Sequence, residues 1–303
     1  ASTGALELNR HRGKHIVVTA IEHAAVLELV KAVERQGYEV TFLQPDQRGN
    51  ISPERAAAAL RPDTALVSMM LVNNELGTVL PVSEMAQAIR RTGCPALLHC
   101  DAVQGFLKVP FTPKKLGVDL LSVSGHKIHA PKGVGALYIR EGLKLPPLLR
   151  GGGQESGLRS GTEATAQIAA FAAAARLGAA SMKEDAAHMA ALRAYAVETL
   201  TKEVPGLTVL VSEGAPHILP VSLPGYKSEV VVRFLSDRGV YISSGSACHR
   251  GKPSHVFAAL RLPKPQLDGA LRISFSYDTS REDVDALTRG LHEAQRDLFT
   301  SMS

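Results

Sequence analysis

Residues 96–127, ALLHCDAVQGFLKVPFTPKKLGVDLLSVSGHK, decide the fold class, because two apolar runs in this stretch each end in polar residues. Runs of this length and composition are typical of buried strands. Comparable strands are predicted at 15–20, 38–43, 64–72, 96–100, 119–124 and 135–139. Helical periodicity or capping signals fall between them, at 23–36, 52–60 and 83–92. Apolar strands that alternate with helices predict an α/β fold whose mostly parallel sheet is covered on both faces.

The pattern changes after the three glycines at 151–153. An Ala-rich helical region runs from Glu163 to about Glu203, and we expect it to break near Gly178. Beyond it, an α+β region is predicted, with strands near 207–212, 217–223 and 270–275 and helices near 228–238, 253–260 and 281–299. The sequence therefore predicts a large α/β domain with a connector helix at 1–182 and a smaller α+β domain at 183–303.

Composition excludes several classes of protein. The 303 residues carry a net charge of +5, contain 5% aromatic residues and lack Trp, which does not fit a nucleic-acid-binding surface. No apolar run reaches the roughly 18 residues of a membrane helix, and no secretory signal opens the chain. The three cysteines do not form a disulfide framework. We expect a cytoplasmic protein with no nucleic-acid or membrane partner.

Polar side chains follow several of the predicted strands, where ligands bind in open α/β sheets. Lys127 follows one buried strand in a Gly-containing turn, so we expect it to be desolvated, with a lowered pKa and a nucleophilic amine. Asp101 ends a neighbouring strand and suits a protonated pyridine nitrogen. Together they indicate a pyridoxal phosphate site. The alternatives are a surface lysine at 127, a helix-capping Asp101 and a helix-starting His23.

Seven motifs, in chain order, resemble those of the cysteine desulfurase family: EHAAV (22–26), VNNELG (72–77), HCDAVQ (99–104), SGHK (124–127), GGGQE (151–155), RSGT (159–162) and SSGSAC (243–248). The resemblance covers essentially the whole chain. It implies a fold-type I enzyme that depends on pyridoxal 5'-phosphate, with the large domain binding the cofactor and the small domain carrying a catalytic cysteine loop.

The resemblance also implies a role for each matching residue around the cofactor. Lys127 would hold it covalently, Asp101 would keep the pyridine nitrogen protonated, and Gln104 would bond the phenolic oxygen. His23 would stack on the ring and shuttle protons. The phosphate would be bound by three residues, the last of them from the partner subunit of a homodimer: Ser124, His126 and Thr162.

For the substrate, the resemblance implies that Asn74, which also contacts the cofactor, holds the carboxylate of L-cysteine together with Arg272. Arginine suits this task because its guanidinium binds carboxylates through two parallel hydrogen bonds. The product would be L-alanine.

Cys248 lies in a Gly-rich loop beside His249 and Arg250, whose charges favour the thiolate. The alternative, a small buried apolar residue, fits Cys94 and Cys100 better. A zinc site of Cys248, His249 and His255 would lack a fourth ligand, so no resident metal is expected. By resemblance, Cys248 would take up the substrate sulfur as a persulfide and could transiently bind an iron–sulfur cluster.

These implications predict a pyridoxal phosphate-dependent sulfurtransferase that supplies a sulfur-acceptor or iron–sulfur scaffold protein, for iron–sulfur cluster assembly or thio-modification. A selenocysteine lyase, an aminotransferase of the same fold and an impaired chain that serves as a dimerisation or scaffold partner are the alternatives. Family chains begin about 70–80 residues earlier and carry there a Gly-rich phosphate-binding loop at a helix N-terminus. This sequence has no counterpart of that loop, so we expect the large domain to be incomplete.

Overall fold

The computed structural model describes residues 1–245 and 254–300. It divides into two compact units. The first comprises Ala1–Gln44, Ile51–Val72 and Leu80–Ser181. The second comprises Pro45–Asn50, Asn73–Val79 and the chain from Met182 onward. Two short segments from the first half of the sequence thus belong to the second unit, and the predicted domain boundary after residue 182 stays a prediction.

The first unit contains a six-stranded sheet with the order β2-β1-β3-β4-β5-β6. Its strands are β1 (His15–Thr19), β2 (Glu39–Leu43), β3 (Thr64–Ser68), β4 (Leu97–Asp101), β5 (Leu120–Ser124) and β6 (Gly135–Ile139). Four of the five neighbouring pairs are parallel, and β5 and β6 are antiparallel. Every residue of β1 and β3 is buried, as expected for near-continuous apolar strands. The predicted mostly parallel sheet is confirmed.

Helix α1 (Ser2–Leu8) precedes β1, and the helices between the strands are α2 (Ala24–Glu34), α3 (Pro53–Ala58), α4 (Val82–Thr92) and α5 (Pro113–Leu116). The Ser52 side chain caps α3 by accepting the Arg55 N–H at 3.2 Å. The sequence did not predict α1 or α5. Helix α1 forms because Ala5 and Leu6 are buried in a core cluster with strand residues such as Ile16, a contact that no short sequence pattern reveals.

Helix α6 (Thr165–Glu203) is one continuous helix of 39 residues. The predicted break near Gly178 is therefore wrong. A Cβ at Gly178 would lie 2.9 Å from Leu107 Cδ1, so the glycine permits close packing within the first unit instead of ending the helix. The buried residues of α6 lie in its second half, from Met189 to Leu200, where they join the core of the second unit.

The second unit has an antiparallel sheet of three strands in the order β7-β8-β9, namely β7 (Thr208–Val209), β8 (Ile218–Ser222) and β9 (Ala270–Ser274). Its other helices are α7 (Ser228–Ser236), α8 (His255–Ala259), α9 (Lys264–Asp268) and α10 (Arg281–Asp297). Helix α10 begins with a capping box between Ser280 and Asp283. The predicted α+β character of this region is confirmed, although α9 was not predicted.

The end of β3 determines where the polar residues of the first unit lie. The sequence predicts a strand over 64–72, but β3 ends at Ser68. Residues 69–72 still run beside β4, because Met69 N donates to His99 O at 3.1 Å and Leu71 N donates to Asp101 O at 2.9 Å. These bonds fix the backbone of Asp101 at the carboxyl end of the sheet. Within the described ranges, no helix is both long and apolar enough to cross a membrane.

Candidate active site

Asp101, the last residue of β4, lies within electrostatic range of His23 in the first unit. Burial raises the pKa of the Asp101 carboxyl, whereas the Val103 N–H, at 3.0 Å from Oδ1, and the charge of His23 lower it. His23 is the N-cap of α2, where its Nδ1 accepts the Ala25 N–H at 3.2 Å. The structure thus brings two predicted cofactor residues together, and His23 also has the helix-starting position considered as its alternative. Gln104 is half-buried on the turn that follows β4.

His99 holds β4 in place two residues before Asp101. Its buried ring is 2.9 Å from Ser68 Oγ through Nδ1 and 2.9 Å from Ser122 Oγ through Nε2, so it links β3, β4 and β5. Burial lowers the pKa of His99 to about 4, which makes the ring neutral at pH 7. His99 therefore stabilises the strand that carries Asp101 and does not provide a charge.

The motif at 124–127 forms the end of β5 and the 3₁₀ turn (Gly125–Ile128) that follows it. Ser124 Oγ lies 2.7 Å from His126 Nδ1, which places two predicted phosphate ligands side by side. Burial and the charges of Lys127 and Lys132 lower the pKa of His126, so this turn has an excess of positive charge that suits an anion.

Lys127 is exposed in this chain, and the predicted burial of its side chain is wrong. The residues of the turn that point into the core are Gly125 and Ile128, which leaves Lys127 on the outer side. Thr162 is also exposed, in the segment before α6, and its contact with a partner subunit stays a prediction.

In the second unit, Arg272 of β9 lies against the segment that contains Asn74. Arg272 Nη1 donates to the Asn74 carbonyl oxygen at 3.0 Å, across 198 positions of sequence. The Arg272 backbone exchanges hydrogen bonds of 2.7 and 3.2 Å with Ser243. Burial lowers the pKa of Arg272, and the nearby charge of Glu75 raises it. The two predicted substrate ligands are therefore neighbours.

Several buried polar atoms of Arg272 and of the segment 74–78 lack hydrogen-bond partners among residues 1–245 and 254–300. They are Asn74 Oδ1, both carboxyl oxygens of Glu75, Thr78 Oγ1 and Arg272 Nε. Such groups are rare in folded proteins and usually have a functional explanation or an unseen ligand. A charged, polar head group such as that of an amino acid would satisfy the guanidinium. The sequence assigned no role to Glu75, although an acid three residues after the predicted strand at 64–72 was a signal for one.

Gly245 and Ser254 bound the segment that contains Cys248, which lies outside the described residues. Gly245 has a φ of +112°, and a Cβ there would lie 2.7 Å from Glu75 Oε2 and 3.1 Å from Ser254 Cβ. Only glycine fits this position.

In the first unit, burial raises the pKa of the Cys100 thiol well above its usual range, which fits an unreactive, apolar cysteine.

Comparisons with known proteins decide the family. Residues 3–287 match the family model "Aminotransferase class-V". The chain is 39% identical to cysteine desulfurase IscS of Methanosarcina thermophila over 294 residues, covering 96% of this chain and 72% of the relative. It is 38% identical to a Nostoc cysteine desulfurase over 284 residues, with 92% and 70% covered. The chain belongs to the cysteine desulfurases of the aminotransferase class-V family.

Two solved structures share the fold of this chain. A NifS-like protein superposes with a TM-score of 0.91 at 35% identity, covering 98% of this chain and 79% of its own. DndA from Streptomyces lividans superposes with a TM-score of 0.76 at 38% identity, covering 90% and 78%. These similarities confirm the predicted fold-type I architecture.

Pyridoxal 5'-phosphate is the cofactor of this cysteine desulfurase family, as expected from the sequence. The residues of the first unit fit it. Asp101 is a largely buried carboxyl whose Oδ1 is held by one backbone N–H, which suits a cationic pyridine nitrogen. The Ser124–His126 pair offers polar groups in a turn of positive charge, which suits a phosphate. No cluster of three or more metal-ligating side chains occurs in the part of the chain that the structure describes.

Proposed function

We propose that this chain removes sulfur from L-cysteine, releasing L-alanine and leaving a persulfide on Cys248. The observation that carries the proposal is the half-buried Arg272 guanidinium beside Asn74, whose buried Nε has no hydrogen-bond partner among the described residues. A guanidinium with an unused N–H group binds a carboxylate through charge-assisted hydrogen bonds. Membership of the cysteine desulfurases then favours an amino acid with a sulfur atom in its side chain as the ligand.

Within this proposal, the first unit binds the cofactor and controls its protons. Pyridoxal phosphate, when bound, supplies an electron sink for the bonds of the substrate carbon next to the amine. Asp101 would keep the pyridine nitrogen protonated by its negative charge. His23 would pack on the ring and hold a proton, and Lys127 would anchor the cofactor and carry a proton on its amine.

The turn after β5 and the turn after β4 would provide the remaining contacts with the cofactor. Ser124 and His126 donate hydrogen bonds to the phosphate, and Gln104 donates to the phenolic oxygen. Thr162 is proposed to reach the phosphate of the partner subunit in a homodimer. Asn74 contacts the cofactor and orients the substrate carboxylate.

The sulfur-transfer step uses the thiolate of Cys248. The thiolate attacks the sulfur of L-cysteine, a sulfur–sulfur bond forms, and the carbon–sulfur bond of the substrate breaks. The electron pair of the broken bond stays with the substrate carbon, which a proton then converts to the methyl group of alanine. Free cysteine and the enzyme thiol thus become alanine and the enzyme persulfide, with no further oxidant.

We further propose that the persulfide serves a sulfur acceptor or an iron–sulfur scaffold protein in the cytoplasm, with Cys248 as a transient cluster ligand. Support comes from relatives named cysteine desulfurase IscS. The expected assay result is alanine formation from L-cysteine that depends on added pyridoxal phosphate. Equal alanine formation in the absence of a thiol at position 248 would point to another reaction.

Replacement of Arg272 by glutamine is expected to raise the KM for L-cysteine by about 10²-fold, because charge-assisted hydrogen bonds of about 1.5–3 kcal/mol each are lost. Arg272→Lys keeps the charge but loses the planar fork, so a smaller rise of about tenfold is expected. Alanine formation measured against cysteine concentration gives both values, and cofactor titration is the control that should not change. An unchanged KM in both variants would remove Arg272 from the substrate site.

A further inference from the structure

Glu75 is a buried acid of the second unit that the proposed reaction does not use. Its side chain is 0% exposed, and neither carboxyl oxygen has a hydrogen-bond partner in the described part of the chain. Burial of a polar group without such partners is costly, so a native protein keeps one only where it serves a purpose. The contact that Oε2 of Glu75 makes indicates what that purpose is.

The backbone of Glu75 is fixed within a tight turn over residues 73–78. The side-chain Oδ1 of Asn73 accepts the N–H groups of Glu75 and Leu76, both at 2.9 Å. The N–H group of Asn73 donates to the Thr78 carbonyl oxygen, also at 2.9 Å. Because these hydrogen bonds hold the turn, the Glu75 side chain projects from a fixed place.

The Glu75 carboxyl lies against the backbone of Gly245. A Cβ at Gly245 would be 2.7 Å from Glu75 Oε2, which is closer than real Cβ atoms approach another heavy atom. The same Cβ would be 3.1 Å from the Cβ of Ser254, which is itself buried. Gly245 therefore contacts Glu75 directly, and Ser254 packs against Gly245.

A second connection fixes the chain just before Gly245. Ser243 exchanges backbone hydrogen bonds of 2.7 and 3.2 Å with Arg272 of β9, and its Oγ donates to the Gly245 carbonyl oxygen at 2.6 Å. Arg272 Nη1 donates to the carbonyl oxygen of Asn74, the residue before Glu75. Residues 243–245 are thus joined to the turn of Glu75 at two points, through Arg272 and through the carboxyl itself.

Gly245 and Ser254 are the described residues on either side of the segment that contains Cys248. Since Glu75 contacts Gly245 and Gly245 contacts Ser254, one buried carboxyl fixes both ends of that segment. Without the carboxyl, a space would open beside Gly245, and the surrounding chain would relax into it. A displacement of about 1 Å can slow a reaction by about 10²-fold, because the reacting atoms no longer meet in the required geometry.

We propose that Glu75 is a positioning residue for sulfur transfer, whose carboxyl fixes both ends of the segment that carries Cys248 and thereby the reach of the thiolate. It acts through its contact with Gly245 and does not touch the substrate. The inference rests on the proposed role of Cys248 as the nucleophile.

The first test compares two substitutions of Glu75 in the full, cofactor-loaded chain. Glu75→Ala removes the contact with Gly245, so the kcat for alanine formation from L-cysteine should fall by about 10²-fold. The KM and the affinity for pyridoxal phosphate should stay within about threefold of the parent values, because neither ligand is bound by Glu75. Glu75→Gln keeps the size of the side chain and should retain most of the kcat.

Glu75→Asp keeps the charge but shortens the side chain, so it distinguishes contact from charge even if Glu75→Ala is too unstable to assay. Its kcat should lie below that of Glu75→Gln. The opposite order, or a parent kcat in Glu75→Asp, would overturn the proposal. The matched control is Glu213→Gln, because Glu213 is an exposed acid of the same unit, and this variant should match the parent chain.

Gly245→Ala tests the same contact from the opposite residue. The added Cβ collides with the Glu75 carboxyl, so persulfide formation in a single turnover should slow by about tenfold or more. In the double variant with Glu75→Ala the collision is absent, and the loss should be clearly smaller than the product of the two single losses. The backbone strain of alanine at a φ of +112° is present in both backgrounds and cancels. Losses that simply multiply would overturn the proposed contact.

Cys248→Ala separates this inference from the proposed function. Sulfide release by Cys248→Ala at the parent rate would refute the proposed function and the positioning role together. An inactive Cys248→Ala, combined with a parent kcat in both Glu75→Ala and Glu75→Asp, would refute the positioning role alone.

Discussion

Replacement of Lys127 by alanine is expected to abolish the covalent adduct that borohydride reduction traps between the chain and pyridoxal phosphate. The proposed anchor is the amine at the end of the 3₁₀ turn that follows β5, next to the Ser124–His126 pair proposed for the phosphate. Without that amine, turnover of L-cysteine should also fall by at least about three powers of ten, because the variant loses both the anchor and the proton carrier. Peptide mass mapping of the reduced protein measures the adduct.

Lys132→Ala is the matched control for this prediction. Lys132 is an exposed lysine five residues further along the chain, and its charge, like that of Lys127, lowers the pKa of His126. The Lys132→Ala variant should keep the adduct at residue 127, with no more than a modest loss of cofactor affinity. A trapped label on any other lysine, or an undiminished adduct in Lys127→Ala, would contradict the assignment.

Replacement of Cys248 by alanine should have an equally large effect on a different step. Persulfide formation on the chain should disappear, while cofactor binding and the spectral response to added L-cysteine remain, because the thiolate acts only on the sulfur of the substrate. Sulfide released in the presence of a reductant, compared with the parent chain, measures the loss.

The other two cysteines provide the controls. Cys94 is half-buried and Cys100 is fully buried in β4, so alanine at either position should cost about 1–2 kcal/mol of stability at most and leave persulfide formation intact. Sulfide release by Cys248→Ala at the parent rate would place the nucleophile elsewhere in the chain.

The order of strands and helices in the first unit could be predicted because each buried strand is a nearly continuous apolar run. The longer helices show apolar residues at helical spacing or capping signals. Short helices such as α1 and α9 could not be predicted, since a few residues carry no period and depend on tertiary packing. The predicted break at Gly178 was wrong for the same reason. The glycine is needed for close packing against Leu107, a tertiary contact that its low helix propensity does not reveal.

For the site, the positions of Asp101 and His23 follow from the rule that ligands bind at the carboxyl ends of parallel strands. The contact between Asn74 and Arg272 joins residues 198 positions apart, and only the family resemblance suggested it before the structure did. The exposure of Lys127 depends on which neighbours surround its side chain. A single sequence does not contain that information.

The central claim, transfer of sulfur from L-cysteine to Cys248, can be tested in a single turnover. The cofactor-loaded chain is mixed with a limiting amount of L-cysteine, its thiols are alkylated, and alanine and the alkylated peptides are quantified by mass spectrometry. The account predicts equal amounts of alanine and of one additional sulfur atom on the peptide that contains Cys248. Alanine without that additional sulfur, or additional sulfur on Cys94 or Cys100 instead, would contradict it.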